Sequence, residues 1–278
     1  MTRPSEAEQK PRIVKAGQVE LQVVQRGTGM PVLLLHGFPL DHAMWDAQIE
    51  RLSRRWQVIA PDLRGFGGSQ VIPGTATMHQ MADDLNALLD ALAIDQPVVV
   101  CGLSMGGYVA FQFWRHHAAR LRALVLCDTR AVADTPEAAA GRLKMVEQVL
   151  AAGTKQVADA MLPKLFSPAT LQSNPDAVEL QRRKILSAAP EGVAAALRGM
   201  AQRPDVSGYL PQIALPTLVL VGQQDAISTA DEMRGIAAAI PAAELVVIPN
   251  SGHMTPLENP PAFNAASELF LARVERDH

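Results

Sequence analysis

The chain has 278 residues, 48% of them hydrophobic, and a formal net charge of −3 at pH 7. That length suits one core or a core with an appended lid, and the charge offers no electrostatic grip on nucleic acid or an anionic membrane. The polar opening MTRPSEAEQKPR lacks an apolar h-region and no apolar run nears the roughly 20 residues that span a bilayer, so a cytoplasmic protein is expected.

In chain order, Arg12 to Arg26 reads as a pair of short strands around Ala16-Gly17, a hairpin. Pro31 to Leu35 (PVLLL) is a continuous apolar strand closed by His36-Gly37-Phe38-Pro39, where a cis peptide fits. Met44, Trp45, Ile49 and Leu52 give Asp41 to Ser53 helical spacing, and Gln57 to Ala60 is a further strand. The glycine-rich loop Pro61 to Ser69 follows; it lacks the G-x-G-x-x-G order and P-loop lysine of a phosphate cradle, and Asp62 and Arg64 are expected to pin it. Thr77 caps a helix carrying Met81, Leu85, Leu88, Leu89 and Leu92.

Pro97 to Leu103 is then a buried strand, Tyr108 to His116 an apolar helix, and Ala123 to Leu126 another strand. Cys101 and Cys127, the chain's two cysteines, lie in or close to these apolar runs and are read as buried thiols. From about 131 to 204 the rhythm changes to helices alone: Pro136–Ala152, Thr154–Leu162, Pro175–Ala188 and Pro190–Gln202, edged by proline and glycine. Strands return at Pro216 to Val221 and Glu244 to Ile248, with helices near Thr229–Ala239 and from Pro260 to about Val274. Apolar strands alternating with helices mean an α/β fold with a mainly parallel sheet. The expected division is a core of residues 1–130 and 205–278, with 131–204 a helical cap inserted after the sixth strand.

Between the strand at 97–103 and its helix stands Gly102-Leu103-Ser104-Met105-Gly106, a G-x-S-x-G pattern. A serine hydroxyl presented at the tip of a strand-to-helix turn needs strained backbone angles, and glycines on either side let strand and helix approach. The helix also aims free N–H groups at the same place, where an oxyanion would form. Ser104 is therefore the candidate nucleophile.

A serine needs a base, and the base an orienting acid. His253, in the short loop Ser251-Gly252-His253-Met254 between the last strand and last helix, is the candidate base. His42 and His79 lie near helix starts, His116 and His117 end the serine helix, and His278 is the tail. Asp225, after the strand preceding the one that leads to His253, is the favoured acid; Asp128, which also ends a strand, is its rival. Glu258 follows His253 but lies too close to the final helix to orient it.

Ser104, Asp225 and His253, with His36-Gly37-Phe38-Pro39 and the loop from Asp62 to Ser69, resemble the α/β-hydrolase superfamily from about Val19 to Val274. The resemblance implies a mainly parallel sheet of about eight strands flanked by helices. It also implies an oxyanion hole made by the N–H groups of Phe38 and Met105, with His36 ordering that loop. Tyr108, Met145, Leu162, Phe166 and Met254, besides Phe38 and Met105, are candidates for an apolar acyl or alcohol pocket. Haloalkane dehalogenases and epoxide hydrolases carry aspartate where this chain has Ser104, which sets them aside. The run Gly102 to Gly107 and the segment Asp128-Thr129-Arg130 resemble enol-lactonases and small-substrate esterases. The implied activity is cleavage of a small ester or lactone, with no metal or organic cofactor and with monomer and homo-oligomer equally open. Alternatives are a carbon–carbon bond hydrolase using Arg130 or Arg198 to hold a dienoate, a cofactor-free haloperoxidase, and a receptor or scaffold on the same fold.

Overall fold

A computed structural model describes residues 10–277. Residues 1–9, which carry most of the polar opening, and His278 lie outside the described residues. The strands are β1 (Arg12–Ala16), β2 (Val19–Arg26), β3 (Pro31–Leu35), β4 (Gln57–Pro61), β5 (Val98–Leu103), β6 (Leu121–Cys127), β7 (Thr217–Gly222) and β8 (Ala243–Ile248). They form one 8-stranded sheet in the order β1-β2-β4-β3-β5-β6-β7-β8, in which β2 runs antiparallel to β1 and β4 and the other pairs are parallel. β3, β5 and β7 are buried at every residue, as uninterrupted apolar runs covered on both faces must be. Next to the edge strand β1, β2 instead alternates over its first residues, and Gly17 supplies the positive φ of 59° that its hairpin with β1 requires.

The helices are α1 (Asp46–Leu52), α2 (Met78–Ala91), α3 (Met105–His117), α4 (Pro136–Ala152), α5 (Lys155–Leu165), α6 (Pro168–Ser173), α7 (Pro175–Ser187), α8 (Pro190–Ala201), α9 (Ala230–Ala239), α10 (Thr255–Glu258) and α11 (Pro260–Arg276). α2 starts with a full capping box between Thr77 and Gln80 and packs on α3; α1 packs on α11. Among the described residues no helix is long and apolar enough to cross a membrane.

Between β6 and β7 the chain makes an excursion through α4 to α8, with α4 lying along α8 and α5 on α7. Its two ends are stitched together. Val206 N–H donates to Ala131 O (2.8 Å), and the buried Arg203 guanidinium meets Asp134 at 2.6 Å. The excursion sits tightly on the core: Ala76 N–H donates to Ala195 O (3.0 Å), and Lys184 reaches Asp41 (2.8 Å).

Three short-range features differ from the sequence pattern. α5 continues through Pro163 to Leu165 instead of stopping at Leu162. A proline inside a helix costs about 3 kcal/mol, and burying a leucine such as Leu165, which is 1% exposed, returns about 1.5–3 kcal/mol. α6 and α10 are too short to show a period, although Ser167 and Pro168 form a capped start that marks α6. Residues 42–45 form a 3₁₀ turn before α1 rather than its first turn.

Glycine separates contact from free space in the excursion. Gly192 of α8 lies so close to Gly65 that a Cβ would overlap the Gly65 carbonyl, whereas Gly141 in α4 has nothing within 4 Å. Gly192→Ala should therefore cost about 1–3 kcal/mol of stability in denaturant melts, through overpacking against backbone that cannot yield. Gly141→Ala should gain about 0.4–1 kcal/mol in the same experiment.

Candidate active site

β5 delivers the chain to Ser104, whose φ of 53° and ψ of −112° put it in a conformation that L residues avoid, at a cost of about 1–3 kcal/mol. The surroundings hold it there. Ser104 N–H donates to Cys127 O (3.0 Å), and its carbonyl accepts from Gly107 N–H (2.9 Å), Tyr108 N–H (3.2 Å) and the Thr129 hydroxyl (2.8 Å). Glycine is obligatory around it: a Cβ on Gly102 would strike the Gly106 carbonyl, one on Gly106 the Leu35 carbonyl, and one on Gly107 the Thr129 side chain. The Ser104 side chain makes no capping hydrogen bond to α3, and among the described residues its hydroxyl is uncommitted.

The loop after β3 runs alongside. Gly37 lies against Leu103 and Ser104, and the Phe38–Pro39 peptide is cis. His36 is fully buried, and its Nε2 accepts the Leu63 N–H (2.9 Å). Its proton therefore sits on Nδ1, which donates to Gly37 O (3.0 Å). Burial holds its pKa below the ordinary value despite the Asp62 charge, consistent with a neutral ring that orders the loop. The backbone N–H groups of Phe38 and Met105 find no backbone acceptor among the described residues.

Asp225 follows β7 and turns back on its own loop: Oδ1 accepts Ile227 N–H (2.7 Å) and Ser228 N–H (3.1 Å). Its Oδ2 lies 2.8 Å from His253 Nδ1, with both side chains at most 2% exposed. The structure thus joins these two residues. Asp128 is present too, but committed elsewhere. One of its oxygens accepts Gly222 N–H (2.8 Å) and the other meets the Thr255 hydroxyl (2.5 Å). Burial, then the nearby Asp225 charge, push its pKa well up, so this acid favours its neutral form. Ser104 Oγ and His253 share no hydrogen bond among the described residues.

Of the pocket candidates, Met254 and Phe166 lie beside the His253 loop: Met254 N–H donates to Leu165 O (3.1 Å), and Phe166 abuts Gly252. Leu162 is buried in α5 and Met145 half-buried on α4. Tyr108 is buried with its ring under the Arg203 guanidinium, 4.3 Å from its centroid. Thr129, which fixes the Ser104 carbonyl, is a residue that pattern reasoning passes over, since nothing in its local spacing marks it.

Asp62 knots the glycine-rich loop as expected. It accepts from His42 N–H (2.7 Å), His42 Nδ1 (2.6 Å), Gln22 (2.9 Å) and Gly68 N–H (2.9 Å), while Arg64 grips Asp84. Burial raises the Asp62 pKa, but the His42 hydrogen bond and charge outweigh it and leave it below the usual range. Among the described residues two groups bring potential metal-ligating atoms within 4.8 Å of one another, Asp41-His42-Asp62 and Asp128-Asp225-His253, and in each the histidine is already bonded to a carboxylate.

Comparison with known proteins agrees with this architecture. A thermophilic esterase from Thermogutta terrifontis, solved with malate bound, is 49% identical with a TM-score of 0.93, over 96% of this chain and 99% of that one. The enol-lactonase from Burkholderia xenovorans LB400 is 28% identical with a TM-score of 0.87, over 94% and 100% of the two chains. A 3-oxoadipate enol-lactonase of Acinetobacter baylyi is 30% identical over 231 residues, 83% of this chain and 84% of that protein. The description "alpha/beta hydrolase fold" matches residues 30–260, and the chain belongs to that family.

Proposed function

We propose that the protein is a serine hydrolase that cleaves small carboxylic esters or lactones through an acyl-enzyme. The observation that carries this reading is the buried Asp225–His253 pair at 2.8 Å, on the same sheet edge as a strained serine whose hydroxyl is uncommitted. With Nδ1 bonded to a carboxylate oxygen, the imidazole proton lies on Nδ1 and Nε2 is left bare to act as base. His253 then takes the Ser104 proton as Oγ attacks the ester carbonyl. The N–H groups of Phe38 and Met105 receive the oxyanion, each worth on the order of 10²–10³ in rate. The protonated imidazole hands its proton to the leaving alcohol, and in the second half activates water against the acyl-enzyme. Asp225, held by Ile227 and Ser228 N–H, orients the ring and stabilises the imidazolium.

The esterase and enol-lactonase relatives support an ester or lactone substrate. The dienoate reading needs a cation at the site, but Arg198 donates to Gly74 O (2.7 Å) and Arg130 pairs with Glu232 (3.2 Å). A receptor would bind without turnover, which the first experiment below separates from catalysis.

Stopped-flow release of p-nitrophenol from acetate and butyrate esters should show a burst and then steady turnover. Ser104→Ala should abolish the burst and lower kcat by about 10⁴- to 10⁶-fold. Its stability should stay within about 0.5 kcal/mol of wild type; a folded wild type that releases no p-nitrophenol would sink the esterase reading. Asp225→Asn should lower kcat by about 10⁴-fold, whereas Asp128→Asn should stay within about tenfold, because an amide can both accept from Gly222 and donate to Thr255. A severe loss in Asp128→Asn would transfer the orienting role to it.

Asp128 also carries a pH signature. Its folded pKa is raised, so the folded state favours the neutral acid, and ionising it costs stability as pH rises above the ordinary carboxylate range. Urea melts should therefore show a smaller fall in stability between about pH 5 and about pH 8 for Asp128→Asn than for wild type.

A further inference from the structure

Glu258 closes α10, five residues after His253, and is half-buried. It does not touch the imidazole. Its Oε1 accepts Gly252 N–H (2.8 Å) and Met254 N–H (3.2 Å), the amides on either side of His253. Its Oε2 accepts Ser167 N–H (2.8 Å) and the Thr170 hydroxyl (2.7 Å), both from the start of α6 in the helical excursion. The four donors thus come from separate places, and one carboxylate joins them; hydrogen bonds to an ionised acceptor are about twice as strong as neutral ones. The two segments also touch directly. Met254 N–H is shared with Leu165 O at 3.1 Å, and a Cβ on Gly252 would come within 2.6 Å of Ser167 N and 2.9 Å of the Phe166 carbonyl carbon.

We propose that Glu258 is a positioning residue that fixes the His253 backbone to residues 165–170, so that the placement of the base and of this part of the excursion is a single event. The inference rests on the hydrolase reading for its kinetic consequence, but not for the link itself. Removing the carboxylate takes this acceptor from the Gly252 N–H and leaves the Met254 N–H with Leu165 O alone. A base displaced by about 1 Å loses on the order of 100-fold in rate. Glutamine keeps an oxygen for Gly252 and Met254, but turns an amide group toward the Ser167 N–H, so it restores only the histidine side.

The test compares wild type, Glu258→Ala, Glu258→Gln, Thr170→Val and the Thr170→Val/Glu258→Ala double variant. Steady-state hydrolysis of p-nitrophenyl acetate is measured well below each melting temperature, alongside amide hydrogen exchange. Glu258→Ala should lower kcat by up to about 100-fold with KM changed less than about threefold, and Glu258→Gln should recover most of kcat. Thr170→Val should have no further effect on kcat once Glu258 is alanine, since its hydroxyl bonds the Ser167 hydroxyl within its own segment and reaches toward the His253 loop through Glu258. Exchange should rise in Glu258→Ala at residues 165–171 and 251–255 together, and in Glu258→Gln at 165–171 alone. A folded Glu258→Ala with kcat within about threefold of wild type, or a loss in KM alone, would overturn the positioning role. If wild type itself shows no Ser104-dependent turnover, the hydrolase reading has failed, and exchange alone decides the link: unchanged protection at 165–171 in Glu258→Ala would end it.

Discussion

The structure depends on a steric constraint at the carboxyl ends of the central strands: backbones meet there with no room for a side chain between them. Gly102 faces the Gly106 carbonyl, Gly106 faces the Leu35 carbonyl, and Gly222 faces the Gly252 carbonyl. The first of these contacts turns the chain sharply enough to hold Ser104 at positive φ. The second presses the loop after β3 against the same turn, so that Gly37 lies beside Ser104. The third sets the His253 loop on the end of β7, within reach of Asp225. Each glycine gives up the stabilisation a side chain would bring, and the buried sheet beneath, with β3, β5 and β7 covered throughout, absorbs that loss.

Buried charge is managed around this edge by division of labour. Asp62, deep in the glycine-rich loop, is kept ionised by His42 and by backbone and amide donors. Asp128 and Asp225 lie close together, and only one of them is provided for as an anion. Asp225 has two backbone donors and the imidazole, whereas Asp128 has one amide and a hydroxyl, and favours its neutral form. Burial and the neighbouring Asp225 charge thus drive Asp128 toward its neutral form against the pull of its own two donors.

Much of the fold is legible in the sequence because its signals are strong and local. The apolar runs from Pro31 and from Val98, the capping residues Thr77 and Thr229, and the prolines opening α4, α7, α8 and α11 each mark an element. Ser104 was legible because its turn demands a particular glycine spacing, and the pairing of His253 with Asp225 because chain order along a parallel sheet constrains which loops can meet. What stays hidden is whatever depends on long-range contact. α5 passes through Pro163 because Leu165 has a place in the core, Thr129 reaches the Ser104 carbonyl from the loop after β6, and Glu258 finds partners some ninety residues away, with separations of 91 and 88. No local period or motif encodes such partners.

The neck of the helical excursion has a consequence of its own. Val206 to Ala131 and Arg203 to Asp134 close the chain into a ring before it rejoins the sheet, so the core sees a fixed pair of entry points whatever lies between. Lengthening a closed loop twofold costs only about 0.6 kcal/mol. The intervening helices can therefore be lengthened or reshaped in evolution or by grafting while the chemistry beneath is left in register, provided that the graft keeps a carboxylate's donors at the turn before α6 and the close contacts of α8 with Gly65 and Ala76.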